Sequence, residues 1–192
     1  MVNTLLLARL IEITGSIVEL AELVSEVAER DHLRDPELVQ LLLKKLRECV
    51  KEDPPYVYAD NCTIRAVAKA LGAIGDPSAL PALLSVARFP LDQWSEAVVA
   101  RAISSIVVRD PDESLFVVLE ACRQSDVGVR RMACRVLGEV GDSRALPALV
   151  QAIRDGDRLV RHEAVVALGR LGDPEAVPAL IQALRDEHRL VR

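Results

Sequence analysis

The strongest constraint on the fold is a stretch that occurs twice near the end of the 192-residue chain. Residues 129–142 read VRRMACRVLGEVGD, and residues 160–173, which begin 31 positions later, read VRHEAVVALGRLGD. The segments that follow match too, since ALPAL at 145–149 recurs as AVPAL at 176–180. A fixed period of this length is the signature of a repeat protein, in which each unit buries its apolar face against its neighbours. The sequence therefore predicts a stack of equivalent units.

Two earlier units follow the same pattern less closely. Residues 64–84 carry the first of them, whereas the second, at about residues 92–124, has drifted. In the drifted unit two residues are inserted before Asp110, and the second proline is missing. The predicted units therefore span about residues 59–90, 91–125, 126–156 and 157–187, with a further unit beginning at 188–192.

Each unit is predicted to be a pair of helices. In the last full unit, the apolar residues of the first helix fall on one face, at Val160, Ala164, Ala167, Leu168 and Leu171. Gly172 ends this helix, Asp173 caps the next one and Pro174 takes its first position. The second helix has its own apolar stripe, at Val177, Leu180 and Leu184. Because neither helix can cover its own stripe, stacked neighbours complete the core, and the expected fold is an all-α, right-handed α-α superhelix, or α-solenoid.

Residues 1–58 differ in net charge from the repeats, which are expected to begin at residue 59. Residues 1–60 hold 7 Lys and Arg against 12 Asp and Glu, whereas residues 61–192 hold 17 of each. We therefore expect an acidic helical segment, continuous with the solenoid, in front of a repeat region that is neutral overall.

A heptad seam runs through the first part of the acidic segment. From Leu6 to Val27 the apolar residues alternate at steps of four and three. Residues 3–31 are predicted to form one long helix, or two helices that meet at Thr14 and Gly15, because glycine destabilises a helix interior. The seam either packs on the next helix, so that the segment caps the solenoid, or forms a dimer interface.

Asp35 and Pro36 open a second predicted helix in the acidic segment. Asp35 is expected to be its N-cap and Pro36 its first residue. This helix is expected to run to about Lys51, where a proline-containing loop ends it.

The few aromatic residues lie where the sequence departs from the repeat. Trp94, the only tryptophan, and Phe89 belong to the start of the drifted unit, and Tyr56 and Tyr58 lie in the loop before the first repeat. Aromatic side chains are enriched at binding hot spots, but they also fill gaps where irregular units stack poorly. The sequence leaves both alternatives open.

Composition and charge exclude several classes of function. Hydrophobic residues make up 51% of the chain and aromatic residues only 3%, so the core consists of Leu, Val, Ile and Ala. The neutral repeats offer no basic surface for nucleic acid, and the start of the chain shows neither a signal peptide nor a membrane span. Four cysteines lie in helical patterns without a C-x-x-C motif, which predicts buried free thiols. These features favour a cytoplasmic protein that binds neither nucleic acid nor a membrane.

The repeat motif resembles that of a known family. Its pattern, VRxxAxxALGxLGDPxAxPAL, is similar to the short HEAT-like repeat first named from phycobilisome (PBS) lyases. The resemblance is strong over residues 127–192, good over 61–88, weak over 89–126 and absent over 1–60. It implies an α-solenoid of HEAT-like helical hairpins. It implies little about function, because such repeats occur in lyases, scaffolds and signalling proteins.

His162 and Glu163 are the sharpest candidates for chemistry. With their neighbours they resemble the His-Glu motif of deoxyhypusine hydroxylase, a family of the same architecture that holds two irons with four such pairs. The aligned positions of the other units are 65–66, 97–98 and 131–132, and none of them is a His-Glu pair. We therefore expect His162 and Glu163 to be solvated surface residues, and we expect no catalytic residue, cofactor site or metal site.

Two sets of polar residues recur with the repeat. The first is expected to be structural, with aspartates that cap helices and arginines that bond turn atoms or a neighbouring aspartate: Arg130, Arg161, Arg192, Asp142 and Asp173. The second lies on the predicted second helices: Gln151, Arg154, Asp155, Gln182, Arg185 and Asp186. If these helices line the concave surface of the solenoid, the mixture of Arg and Asp suits a peptide or protein surface.

These observations predict a protein-interaction scaffold or adaptor that binds another protein on its concave face and has no catalysis of its own. The predicted partner-binding residues are Gln151, Arg154, Gln182, Arg185, Trp94 and Phe89. The alternative is a bilin lyase or lyase subunit acting on phycobiliproteins, which only the resemblance of the repeat implies.

Residues 186–192 restate residues 155–161, so a further unit begins where the sequence stops. We expect either that the chain is a fragment of a longer repeat protein or that its apolar end docks on another molecule. A homodimer could form through this end or through the N-terminal helix.

Overall fold

The computed structural model describes residues 36–53 and 56–192. Within them the α-helices are α1 (Pro36–Glu48), α2 (Asn61–Ile74), α3 (Leu80–Val86), α4 (Gln93–Arg109), α5 (Pro111–Ala121), α6 (Val127–Val140), α7 (Leu146–Ala152), α8 (Arg158–Leu171) and α9 (Val177–Ala183). Short 3₁₀ turns precede α3, α7 and α9, at Pro77–Ala79, Ser143–Ala145 and Pro174–Ala176. Two strands, β1 (Val50–Asp53) and β2 (Tyr56–Ala59), lie between α1 and α2.

The helices pack in two compact units, one that ends at Asp110 and one that spans Pro111–Arg192. In the first unit α4 packs against α2 and α3, and α1 packs against α2. In the second unit α8 packs against α6, α7 and α9, and α5 packs against α6. The largest fully buried side chains are all leucine or isoleucine, including Leu71, Ile103 and Leu137. This confirms the all-α fold class of stacked helical hairpins, with a core of aliphatic residues.

The turn inside each regular repeat is built as the sequence predicts. In the last repeat, Gly172 follows α8 with φ 66°, a left-handed conformation that favours glycine. Asp173 then accepts a hydrogen bond from the backbone N–H of Glu175 at 2.9 Å. The second helix starts as a 3₁₀ turn, and α9 proper includes Pro178 in its first turn, where its missing N–H costs little. The first and third repeats have the same arrangement.

Two glycines allow the first helices of successive repeats to approach closely. A Cβ added to Gly138 of α6 would lie 2.7 Å from Cα of Ala167 in α8, and one added to Gly72 of α2 would lie 2.8 Å from Cα of Ala102 in α4. Real Cβ atoms do not approach another atom this closely, so these positions require glycine. The glycine of the LG motif therefore has a packing role, which the repeat pattern alone does not reveal.

The drifted unit keeps its first helix but lengthens it. The insertion gives α4 17 residues, whereas α2, α6 and α8 have 14 each. Ser105, which lies in this helix, donates a hydrogen bond to the carbonyl of Gly72 at 3.2 Å. Asp110 follows α4 with φ −142°, so this turn does not use the left-handed glycine of the regular repeats.

The segment before the repeats differs from its prediction in two ways. Helix α1 ends at Glu48 rather than near Lys51, because β1 begins at Val50. The predicted loop is flanked by two antiparallel strands, in which Val50 lies opposite Ala59. Valine and tyrosine are frequent here and favour strands, a preference that the prolines of this segment mask in the sequence.

Several predictions concern residues outside the described part of the chain. These are the helix or helices at 3–31, the heptad seam and its packing or dimer role, and Asp35 as an N-cap. The gap-filling and partner-contact alternatives for Tyr56 and Tyr58 also stay predictions.

Candidate functional site

In each of the last two full repeats, a largely buried ion pair joins the first helix to the turn that follows the second helix. Arg130 donates from Nε and Nη2 to the two carboxylate oxygens of Asp155, at 2.7 and 2.9 Å. Arg161 forms the same two bonds with Asp186, at 2.8 and 3.1 Å. The four side chains are only 10–16% exposed. Paired, parallel hydrogen bonds of this kind are the strongest form of an arginine–carboxylate contact.

The remaining arginine nitrogen holds the preceding turn. Nη1 of Arg130 donates to the carbonyls of Gln124 and Ser125, at 3.0 and 2.7 Å. Nη1 of Arg192 likewise donates to the carbonyls of Asp186 and Glu187, at 2.7 and 3.1 Å. The expectation that these arginines bond turn atoms and neighbouring aspartates is confirmed, so they are part of the framework and not of a free binding surface.

The ion pairs also change the acidity of their carboxylates. The hydrogen bonds from Arg161 lower the pKa of Asp186 below its usual value. Burial raises the pKa of Asp155, but the bonds from Arg130 and from the backbone N–H of Asp157 outweigh it, so that this pKa is also lowered. Both carboxylates are held in the charged form that the arginines require.

A second set of arginines, which we call the arginine row, is exposed and takes no part in these framework pairs. It consists of Arg123, Arg154 and Arg185. Each lies two residues beyond the end of a second helix, α5, α7 or α9, and each is exposed. Arg123 and Arg154 line one cavity of about 780 Å³, and Arg154 donates at 3.1 Å to Oε1 of Gln182 in α9, three residues before Arg185.

The expected mixture of charges on this surface is not what the structure presents. Asp155 and Asp186, which follow Arg154 and Arg185 in sequence, are taken up by the framework arginines and are only 12% and 11% exposed. Gln151 and Gln182 are exposed beside the arginine row. Two exposed carboxylates remain near the row: Glu120, which accepts from Arg123 at 2.6 Å, and Glu187, which lies two residues after Arg185 and accepts from Arg161 at 3.3 Å. The surface therefore exposes more arginines than carboxylates, which the sequence hides because Arg and Asp are adjacent in the chain.

Arg123 is a member of the row that the motif comparison missed. It lies 31 positions before Arg154, as Arg154 lies 31 positions before Arg185, but the drifted repeat carries Gln124 where the last two repeats have aspartate. Counting the period rather than matching the motif would have found it. Arg88 occupies the equivalent position in the first repeat.

The structure separates the two predicted aromatic contacts. Trp94 lies in the first turn of α4 and is 77% exposed, so the alternative that it fills a packing gap is wrong. Phe89 is half-buried and lines a different cavity of about 560 Å³ with Leu46, Pro81 and Arg88. Trp94 is thus a surface aromatic residue, whereas part of the Phe89 side chain packs inside the protein.

His162 and Glu163 are both half-buried rather than fully solvated. His162 Nδ1 lies 2.8 Å from the carbonyl oxygen of Leu190, to which it donates as the Nδ1–H tautomer. Among the described residues, no group of three or more His, Cys, Asp or Glu is close enough to hold a metal ion.

The four cysteines are free thiols, but they are not all buried. Cys62 is exposed, because it lies at the start of α2, where its side chain accepts from Arg65 at 3.2 Å. Cys134 is buried, and its hydrogen bond with Cys122 together with burial raises its pKa, so it stays protonated. The prediction of buried thiols holds for Cys134 and is wrong for Cys62.

The last repeat exposes apolar residues that its predecessor covers. In the third repeat Leu146 and Val150 are half-buried and Ile153 is buried. The equivalent residues of the last repeat, together with Leu190, are 49–63% exposed: Val177, Ile181, Leu184 and Leu190. Within the described residues α9 packs against α8, and no further hairpin packs against α9. Separately, none of the described helices is long and apolar enough to cross a membrane.

Family models recognise the repeats in two parts of the chain. A model described as HEAT repeats matches residues 117–192, and one described as PBS lyase HEAT-like repeat matches residues 64–88. No curated protein sequence matches the chain.

Two solved structures resemble the whole chain. Human deoxyhypusine hydroxylase in complex with glycerol is 20% identical, with a TM-score of 0.43, and the match covers 92% of this chain and 75% of that one. The crystal structure of an engineered protein is also 20% identical, with a TM-score of 0.50, and the match covers 96% of this chain and 90% of that one. At this identity the likeness concerns the fold alone.

Proposed function

We propose, on the premise that this chain is a HEAT-like repeat protein, that it is a scaffold or adaptor that binds another protein. The binding surface consists of the exposed polar residues at the ends of the second helices, including Gln151, Arg154, Gln182 and Arg185. The sequence predicts that these second helices line the concave face of the solenoid.

The proposal is supported by a difference in exposure between two sets of recurring polar residues. Arg130, Arg161, Asp155 and Asp186 satisfy one another in buried pairs, and stacking requires them. Residues of the arginine row recur with the same period but stay exposed. Repeated exposed residues that the core does not need are the ones a repeat protein can use for binding.

Trp94 extends the proposal to the first unit. A tryptophan that is 77% exposed presents a large apolar surface to solvent. Such residues are frequent hot spots of protein interfaces. The cytoplasmic location, and the expectation of no catalysis, cofactor, nucleic acid or membrane, stay predictions.

The test is capture of partners from the native lysate with the wild-type chain and with a variant in which Gln151, Arg154, Gln182 and Arg185 are changed to alanine. The control variant changes to alanine four exposed residues that do not lie at the C-terminal ends of the second helices: Ser143, Arg170, Glu175 and Arg189. We expect the first variant alone to lose the partner while both retain the wild-type far-UV circular dichroism. If the first variant captures the same proteins as the wild type, the proposal is wrong.

The bilin lyase alternative is supported only by the name of the repeat that matches residues 64–88. Formation of a coloured adduct when the protein is incubated with a bilin and an acceptor phycobiliprotein would establish it in place of the scaffold function.

A further inference from the structure

We propose that the arginine row binds an extended acidic segment of the partner protein, with one carboxylate at each repeat. This rests on the proposed function and specifies the chemistry of the partner. The residues involved are Arg123, Arg154 and Arg185, with Gln151 and Gln182 beside them.

Charge is the first argument. The nearby aspartates Asp155 and Asp186 are neutralised by framework arginines, so their charge does not offset that of the row. Within the described residues Arg154 has a neutral partner, Gln182, and Arg185 forms no ion pair, whereas Arg123 has an exposed pair with Glu120 that a carboxylate of the partner would replace. A segment that places carboxylates against these guanidinium groups is complementary to the surface, whereas a basic or apolar segment is not.

The second argument is chemical and comes from the framework itself. Arg130 and Asp155 show that this protein already uses the planar guanidinium group to hold a carboxylate through two hydrogen bonds. Arginines of the row have the same donors and are exposed to solvent. A carboxylate of a partner can therefore form the same contact without any rearrangement of the core.

Spacing is the third argument. Arg123 and Arg154 line one cavity and Arg154 contacts Gln182 of α9, so the ends of α5, α7 and α9 are near one another, and helices that lie side by side are about 8–10 Å apart. A chain in the extended polyproline II conformation rises about 3.1 Å per residue with three residues per turn, so that every third side chain returns to the same side after roughly 9 Å. A segment that crosses α5, α7 and α9 would thus present a carboxylate to each arginine when every third residue is acidic.

The cavity between Arg123 and Arg154 provides room for such a segment. Its volume is about 780 Å³, and its lining includes Gln151 and the backbone-rich ends of α5 and α7. None of the residues that line it is aromatic. Proteins that bind single-stranded nucleic acid stack bases on aromatic side chains, so the cavity suits a peptide better than a nucleic acid.

The experiment measures binding of three fluorescent synthetic peptides by anisotropy. The first has glutamate at every third position with serine and glycine between, the second has the same composition with its glutamates consecutive, and the third has glutamine in place of glutamate. We expect the first peptide to bind most tightly, its affinity to fall as salt is added, and the glutamine peptide not to bind.

Two triple variants that lose the same charge show whether binding depends on the arginine row or only on the net charge of the protein. One is Arg123→Gln, Arg154→Gln and Arg185→Gln. The other changes three exposed arginines that do not follow a second helix, Arg101→Gln, Arg170→Gln and Arg189→Gln. From the contributions of exposed ion pairs we expect the first to weaken binding of the spaced peptide roughly tenfold and the second to leave it within about twofold. Thermal denaturation of both checks that they are folded.

Each other outcome overturns the proposal. If the spaced peptide binds equally to the two triple variants, or binds no more tightly than the consecutive peptide, the row does not recognise an acidic segment. Tighter binding of a single-stranded oligouridine than of the peptide would assign the row to RNA. If these peptides fail while the four-alanine variant still loses its captured partner, the acidic segment is wrong and the scaffold function stands.

Discussion

Two buried serines show how one hydroxyl group can either destabilise or stabilise a helical repeat. Ser114 and Ser95 are both fully buried. Ser95 Oγ donates to the carbonyl of Asn61 and accepts from Arg65. Ser114 Oγ has no hydrogen-bond partner among the described residues. A buried hydroxyl without a partner costs about 1–3 kcal/mol of desolvation.

We therefore expect Ser114→Ala to raise the free energy of unfolding by about 1 kcal/mol and Ser95→Ala to lower it by a similar amount. Urea denaturation followed by circular dichroism measures both changes. Loss of stability in Ser114→Ala would show that its hydroxyl is bonded in solution.

The framework aspartates predict how stability depends on pH. Asp155 has a lowered pKa in the folded protein, whereas an unfolded aspartate titrates at about 3.9. At acid pH the unfolded chain therefore binds more protons than the folded one. The contribution of the pair is present above about pH 4 and is lost as the pH falls through the lower folded pKa.

Asp155→Asn should accordingly lower stability at pH 7, by about 1.5–3 kcal/mol if the charged hydrogen bonds have their usual strength. It should also reduce the loss of stability between pH 7 and pH 3. Asp112→Asn is the control, since this carboxylate is 93% exposed although it lies 3.2 Å from Arg144. Denaturation curves at both pH values measure the two free energies of unfolding. If wild type and Asp155→Asn lose the same stability between pH 7 and pH 3, the ion-pair argument is wrong.

At the scale of the helix, the two equivalent glycines of α6 and α8 should respond in opposite ways to alanine. A Cβ at Gly138 would collide with Ala167, and a Cβ at Gly169 would meet nothing within 4 Å. Gly138→Ala should destabilise the protein by about 1–3 kcal/mol through overpacking. Gly169→Ala should stabilise it by up to about 1 kcal/mol, because alanine favours the helix. Thermal melting of the two variants is the measurement, and a stable Gly138→Ala would mean that the helices can move apart.

The element scale also shows what the sequence could predict. The helical hairpins, their glycine and aspartate turns and the role of Arg130 followed from residues that recur at a fixed distance, because stacking imposes the same contacts on every repeat. The basic surface did not follow, because the neutralisation of Asp155 by Arg130 depends on a contact between residues 25 positions apart. The strands around the proline-containing loop were missed for a related reason, since pairing of β1 with β2 is not a property of either segment alone.

For the whole molecule, the exposed apolar residues of the last repeat predict self-association of this 192-residue chain. Val177, Ile181, Leu184 and Leu190 are 49–63% exposed, whereas the third-repeat equivalents of the first three are half-buried or buried: Leu146, Val150 and Ile153. Apolar area of this kind is removed from water when two copies meet. Sedimentation velocity should therefore show a dimer whose fraction rises with protein concentration.

A charge-matched pair of variants locates the contact. Ile181→Lys with Leu184→Lys should remain monomeric, because lysine cannot bury its ammonium group in an apolar interface. Val108→Lys with Phe116→Lys should associate like the wild type, since each of these residues is 64% exposed but neither belongs to the last repeat. All four positions are exposed, so neither variant removes a core contact. If the first variant still dimerises, the interface is not in the last repeat, and the predicted heptad seam at the N-terminus is the next candidate. If the wild-type chain stays monomeric at every concentration, the prediction is wrong.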